Sequence, residues 1–198
     1  MIAQSMNPPG MIQLSQYHQS TEQISNEQAI IEAARTDNRK FEPLYKMYYP
    51  RIVAFVYQRV DDKETAFEIT SDVFYAALKN LHQYKSEGLP FSAWLFRIAI
   101  NKINELFRKQ KVRRTITIEA EGVPQLVQEI QREELVSDKQ LFDALQSLDP
   151  DDLNLVEMRF FENRPFKEIC EITGLGESAC KMKLYRILEK LKSTLKNL

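Results

Sequence analysis

Apolar residues recur at intervals of three and four along most of the chain, the period of one helix face. Ile30, Ile31 and Ala34 mark a first short helix from about Asn26, and Asp37-Asn38 is a turn signal. Phe41, Leu44, Tyr48, Ile52 and Phe55 then hold the same spacing. Asp61-Asp62 punctuates, and a carboxylate there can cap the next helix, which uses Phe67, Val73, Phe74, Ala77, Leu78 and Leu81. Gly88-Leu89-Pro90 breaks it. A long helix from Phe91 to about Arg113 follows, with Trp94, Leu95, Ile98, Ile103 and Phe107 as its apolar positions.

Periodicity then lapses. Thr115 to Gln125 reads TITIEAEGVPQ, too short for a sheet, and predicts the start of a linker. From Leu135 four shorter helices are predicted, at about 135–147, 150–161, 165–173 and 177–196. Asp149-Pro150 is a helix start with Asp as N-cap and Pro at the first position. Residues 1–24 contain Pro8, Pro9 and Gly10 with little periodicity and read as a disordered tail. The pattern predicts an all-α protein: a tail at 1–24, one helical domain at 25–114, a flexible acidic linker at 115–134 and a four-helix domain at 135–198.

Composition adds charge to this picture. The chain has 198 residues, 43% apolar and 28% charged, with a net charge of -1. Residues 1–114 carry 16 Lys+Arg against 12 Asp+Glu, residues 115–153 carry 2 against 10, and residues 154–198 carry 9 against 6. Two mildly basic blocks therefore flank an acidic connector. Within the first block Arg97 to Arg114 holds seven cations and Glu105 as its single anion. Two cysteines make neither a disulfide framework nor a zinc set. No leader pattern and no apolar run of about 20 residues is present, so a soluble, cytoplasmic, reduced protein without membrane insertion is expected.

The last two helices, PFKEICEITG and LGESACKMKLYR, have helix-turn-helix lengths. In that motif the second helix presents its N-terminal half to the major groove. At about 100° per residue, Cys180, Leu184, Ile187, Leu191 and Leu195 share one face, and Ser178, Met182, Tyr185 and Arg186 lie opposite with Lys181 and Lys183 on the flanks. Cations around an exposed leading end suit phosphate contacts and base-edge donors. A second cluster, AWLFRIAINKINELFRKQKVRR, follows Phe91 and combines Trp94 and Phe96 with Asn101, Lys102, Asn104, Arg108 and Lys109. Cations there can neutralise phosphates and aromatics can stack unpaired bases. The same Trp and Phe spacing also describes a core stripe, and Asn101 could equally serve as a cap or an inter-helix hydrogen-bonder.

Taken together, FEPLYKMYYPRIVAFV, ETAFEITSDVFYAAL, PFSAWLFRIAINKINELFRK and, after the linker, LFDALQSLDPDDLNLVEMRFFENRPFKEICEITGLGESACKMKLYRILEKLK resemble the extracytoplasmic-function (ECF) sigma factors, small sigma-70 family subunits of bacterial RNA polymerase. The resemblance covers roughly 27–196. It implies a transcription initiation factor, not an enzyme and without a cofactor, that binds core polymerase and promoter DNA in the cytoplasm at the nucleoid. Glu68, Asp72 and Phe74 match positions that dock on the β′ clamp helices. The loop from Tyr84 to Pro90 and the helix from Phe91 resemble the element that opens the −10 region, with Trp94, Asn101, Lys102, Asn104, Arg108 and Lys109 on the DNA side. Glu177, Ser178, Lys181, Met182, Lys183 and Arg186 match the −35-reading helix. Arg159 and the exposed part of Phe160-Phe161 match the β-flap contact, and an anti-sigma factor is an implied partner.

Three positions depart from the family pattern. Gly176 stands where Ser usually caps, Ala179 where Thr is common, and Met182 where a small polar residue is usual. Met cannot donate a hydrogen bond and suits an apolar contact such as a thymine methyl. Cys170 and Cys180 take inward positions of the two motif helices, where a buried thiol acts as a small hydrophobe or, alternatively, as a redox sensor. A helix-turn-helix regulator acting without polymerase, and a helical adaptor with merely solvated basic faces, are the competing functional classes. The two histidines, His18 and His82, have no evident catalytic partners.

Overall fold

A computed structural model describes residues 21–60, 62–86, 90–110, 122–130 and 137–196. The expectations for the tail before Thr21, the cap at Asp61, the loop at Glu87 to Leu89, the linker at 111–121 and 131–136, and a helix reaching Arg113 fall outside these residues. The described elements are helices: α1 (Thr21–Thr36), α2 (Glu42–Val60), α3 (Lys63–Lys79), α4 (Phe91–Gln110), α5 (Val123–Glu129), α6 (Asp138–Gln146), α7 (Pro150–Val156), α8 (Phe166–Thr173) and α9 (Glu177–Lys196). Short 3-10 turns at Asn38–Phe41 and Leu81–Gln83 join the first ones.

The predicted stops have their predicted chemistry. Asp62 accepts from the Thr65 backbone N–H at 2.7 Å, and Asp149 accepts from that of Asp152 at 3.0 Å, each satisfying a donor that the helix start leaves open. Ser137 and Gln140 form a capping box at α6. The first helix begins at Thr21, earlier than the sequence pattern indicates. Its Glu27 is buried and does two things: its carboxylate accepts from the Tyr48 hydroxyl, and from the Phe91 backbone N–H at 3.1 Å. An anion at the first residue of α4 both fills an orphan donor and meets the positive end of the helix dipole.

Helices α2, α3 and α4 pack on one another, with α1 closing the bundle, around Leu44, Tyr48, Ile52, Val73, Phe74, Phe91 and Leu95. The α6–α9 unit buries Leu145, Leu155, Ile169, Leu184, Ile187 and Leu191. The two buried sets form one continuous apolar cluster, and α4 packs directly on α8 and α7.

Two features differ from the sequence-based expectation. Part of the expected linker is helical: α5 buries Leu126 and Ile130, and Gly122 approaches so closely that a Cβ there would lie 2.4 Å from both the Phe160 carbonyl oxygen and the Phe161 ring. The predicted helix 150–161 ends at Val156 and continues as a π-helical turn, Glu157–Phe161, closed by the Glu162 N–H donating to the Glu157 carbonyl at 2.8 Å. The wider turn lets Glu157, Met158, Phe160 and Phe161 all point inward. Asn163 then takes φ 48°, a left-handed conformation that Asn tolerates better than most residues.

Candidate nucleic-acid interface

The turn between α8 and α9 depends on Gly174, whose φ of 74° would strain a residue with a Cβ. The Leu175 N–H donates to the Cys170 carbonyl at 3.1 Å across this turn, a helix-end closure that sets the entry of α9. Cys180, Leu184, Ile187, Leu191 and Leu195 are all buried, as their spacing predicts. Glu177, Ser178, Lys181, Met182, Tyr185 and Arg186 are exposed, and Lys183 is half-buried. Met182 and Tyr185 are 55% and 64% exposed, so this face shows water two large apolar side chains among cations. Lys181 pairs with Glu177 at 2.5 Å, and Lys183 pairs with Asp152 at 3.1 Å. At Gly176 a side chain would meet nothing within 4 Å, so no packing reason excludes a larger cap residue there.

On α4 the predicted DNA-side residues divide. Arg108 and Lys109 are exposed in the last turn, with Lys109 paired to Glu105 at 2.8 Å. Lys102 pairs with Asp72 of α3 at 3.1 Å. That contact joins one residue expected to face DNA to one expected to face polymerase. Asn101 is exposed. Asn104 donates to Asp151 at 2.8 Å and accepts from Asn154 at 3.3 Å. Trp94 is half-buried, its ring 5.1 Å from that of Tyr84 and 5.5 Å from that of Phe91. Burial foremost pushes the Tyr84 hydroxyl up to about 12, so it stays protonated beside Trp94.

The expected polymerase-docking residues also divide. Glu68 and Asp72 are exposed on α3. Phe74 is not on that surface: it is 4% exposed and its ring lies 4.8 Å from Tyr45, 6.0 Å from Tyr49 and 6.4 Å from Phe41. The aromatics that α3 does expose are Phe67 and Tyr75. Phe67 takes an outward position that its apolar character had assigned to the core, and Lys63 caps its ring at 5.7 Å. Phe160 and Phe161 are buried, and Arg159 lies over the Phe166 ring at 5.2 Å.

Beyond these residues lies a charged cluster that periodicity could not reveal. Arg59 of α2 is buried, stacked 3.6 Å over the Phe55 ring, and pairs with Glu162 and, at 3.4 Å, with Glu157. Arg164 is equally buried, 4.1 Å over the Phe96 ring, and pairs with Glu162 and Glu168. The sequence gives one hint: Arg59 occupies an inward position of an otherwise apolar face.

Cys170 and Cys180 are both buried and free. Among the described residues no group of His, Cys, Asp or Glu is arranged to hold a metal, and no helix is long and apolar enough to cross a membrane.

Known proteins place this architecture. Residues 44–113 match the family described as sigma-70 region 2, and residues 138–191 match sigma-70, region 4. The ECF RNA polymerase sigma factor BldN of Streptomyces coelicolor is 30% identical over 155 residues, 76% of this chain and 58% of BldN. This chain therefore spans little more than half of that relative. The RNA polymerase sigma factor CarQ of Myxococcus xanthus is 27% identical over 78% of this chain and 88% of CarQ. Among solved structures, the sigma factor RpoE in complex with the anti-sigma factor NepR from Bartonella quintana shares the fold, with a TM-score of 0.50 at 17% identity, over 80% of this chain and 98% of RpoE. Two family regions in order, on two helical units of which the second carries a helix with an exposed cationic face, make the chain a member of the sigma-70 family, of the ECF type.

Proposed function

We propose that this chain is a transcription initiation factor that binds core RNA polymerase, directs it to promoters through −10 and −35 elements, and nucleates melting. The observation that carries the reading is α9: an exposed face of Ser178, Lys181, Met182 and Arg186, fixed by the Gly174 turn, in the region that matches sigma-70 region 4. Residues 25–114 act as the polymerase- and −10-binding domain and residues 135–198 as the −35-binding domain. Glu177, Ser178, Lys181, Met182, Lys183 and Arg186 meet the −35 groove. Trp94, Asn101, Lys102, Asn104, Arg108 and Lys109 serve the −10 strand, with Trp94 braced by Tyr84 and Phe91. Unstacking costs a few kcal/mol per base step, which a pocket and backbone contacts offset.

Glu68 and Asp72 dock on the β′ clamp helices, with Phe74 holding the α3 surface from behind rather than touching the partner. The domain at 135–198 meets the β flap, and an anti-sigma factor is a further partner. The factor works in the cytoplasm, at the nucleoid, and is not an enzyme.

Run-off transcription with core polymerase on a set of genomic promoters tests this. Discrete start sites above core enzyme alone are expected. DNA binding by the chain with no start site and no stoichiometric complex with core polymerase would favour a regulator that acts without a holoenzyme.

A further inference from the structure

Helix α1 grips the backbone on both sides of the step from the Leu81–Gln83 turn to α4. On the near side Arg35 donates through Nε to the Leu81 carbonyl at 3.2 Å, and through a terminal nitrogen to the Tyr84 carbonyl. On the far side the Glu27 carboxylate accepts from the Phe91 N–H at 3.1 Å, across 64 positions, while its other oxygen accepts from the Tyr48 hydroxyl. The residues before Phe91 are Gly88, Leu89 and Pro90, none with a side chain able to cap α4. Glu27 thus does from another helix what a local cap does elsewhere. Because Glu27 and Arg35 stand about two helical turns apart, one rigid element sets the spacing between Tyr84 and Phe91.

Tyr84 and Phe91 carry the two rings on which Trp94 rests. Both are buried, and they meet edge to face with centroids 5.1 Å apart at 86°. The half-buried Trp94 ring leans on both. Tyr48, whose hydroxyl Glu27 holds, backs Phe91 at 6.2 Å. A ring that stacks an unpaired base keeps its contact only if it is fixed to within about 0.5 Å. Apolar packing alone allows sliding, whereas hydrogen bonds to charged groups fix direction as well as distance. A buried carboxylate is costly unless it is hydrogen-bonded, and both oxygens of Glu27 are directed at the support of this wall.

We propose that α1 braces the wall on which an unpaired −10 base stacks, with Glu27 and Arg35 as its positioning residues. They touch no DNA. They set where the Trp94 ring stands, and so how firmly a base of the non-template strand is held against it. The inference rests on the reading of Trp94 as a −10 residue, and it reaches outside residues 44–113, the part matched to sigma-70 region 2, because α1 ends at Thr36. The two residues work differently. Glu27 fixes the first residue of α4, and Trp94 follows one turn later. Arg35 acts as a fork across two carbonyls, which the single ammonium of a lysine does not reproduce.

The test uses the full chain in complex with core polymerase, and the non-template strand of a promoter whose start site run-off transcription has located. Single abasic residues replace each position of its −10 element in turn. In the unsubstituted protein one position is expected to lose ~10-fold in affinity when its base is removed. In Glu27→Gln and in Arg35→Lys the intact strand should bind ~10-fold more weakly and the penalty at that position should shrink to about 2-fold. Penalties at the other positions and affinity for core polymerase should not change. Tyr48→Phe disturbs the same buried carboxylate but leaves its bond to the Phe91 N–H, so there the full penalty should persist. Trp94 is the single tryptophan of the chain, and its emission in the free chain should shift to the red in Glu27→Gln and Arg35→Lys with helical ellipticity intact. Should Glu27→Gln fail to fold by circular dichroism, Arg35→Lys carries the test. A penalty unchanged in the folded variants, a loss spread evenly over all positions, or no penalty at any position in the unsubstituted protein overturns the brace, and discrete start sites in those cases leave the sigma reading standing. Failure to form the polymerase complex or any start site removes that reading, and the brace with it.

Discussion

Cys180 has no exposed surface and sits against Cys170. Burial, and then the hydrogen bond to the neighbouring sulfur, push its thiol up to about 12. The thiolate is the reactive species, so at pH 8 about one molecule in 10⁴ carries it at this site. Cys180 is therefore chemically quiet packing between the two motif helices, which favours the small-hydrophobe reading of that cysteine over a sensor. Titration with an aromatic disulfide at pH 8 should therefore label the native protein slowly at Cys180 and the unfolded protein completely. Rapid reaction of both thiols in the folded state would contradict this. Met182 presents the opposite situation, a large apolar side chain held in water next to Arg186, and its exposure fits contact with a groove rather than with the core.

At the scale of elements, α9 shows how far a cation's partner decides its use. Lys183 already pairs with Asp152, while Arg186 is exposed on the outward face of α9. Arg186→Ala should weaken binding to −35 DNA and lower the slope of log affinity against log salt by about 1, because one fewer counterion is released. Adding Lys183→Ala should lower it by less than a further unit, since its charge is already shared. Equal increments for the two residues would show that Asp152 lets Lys183 go on binding. The inward face of α9 was legible from spacing alone, as were the caps at Asp62 and Asp149, because each depends on residues within one or two turns. Helix α5 was also written in the chain, in Val123, Leu126 and Ile130, but its acidic setting and the nearby Gly122 and Pro124 read more strongly as linker. The π turn and the outward position of Phe67 were not legible. Both depend on what lies across the fold: the pairing of Arg59 with Glu162 spans 103 positions, and whether Phe67 or Phe74 faces inward is settled by Phe41, Tyr45 and Tyr49.

For the whole molecule, the buried pairing of Arg59 with Glu157 and Glu162 makes the packing of the two units depend on acid. Glu162 is pushed up by burial, but the Arg59 and Arg164 guanidiniums more than reverse this and hold its carboxyl down at about 2, against an ordinary 4.5. A carboxylate depressed in the closed state stabilises that state fully above about pH 4.5. It loses this contribution as pH falls toward about 2, because only then does the proton compete with the arginines. Measured against the unfolded chain, the displacement corresponds to something on the order of 3 kcal/mol at neutral pH. Only the Arg59 share of it belongs to the contact between the two units, because Arg164 lies in the same unit as Glu162. The neighbours Glu157 and Glu168 share the same two arginines, so loss of one carboxylate redistributes the pairing rather than abolishing it. Acid titration of the chain carrying donor and acceptor dyes on Lys79→Cys and Glu189→Cys, exposed positions in different units, should consequently show energy transfer falling as the two units separate between about pH 4.5 and 2 while helical ellipticity is largely kept. In Glu162→Gln, which has no charge to lose there, that drop in transfer should shrink and the starting transfer at pH 7 should already be lower. An unchanged acid limb in the variant would place the titrating group elsewhere in the cluster. Simultaneous loss of helix and of transfer in the parent chain would mean that the two units open only by unfolding.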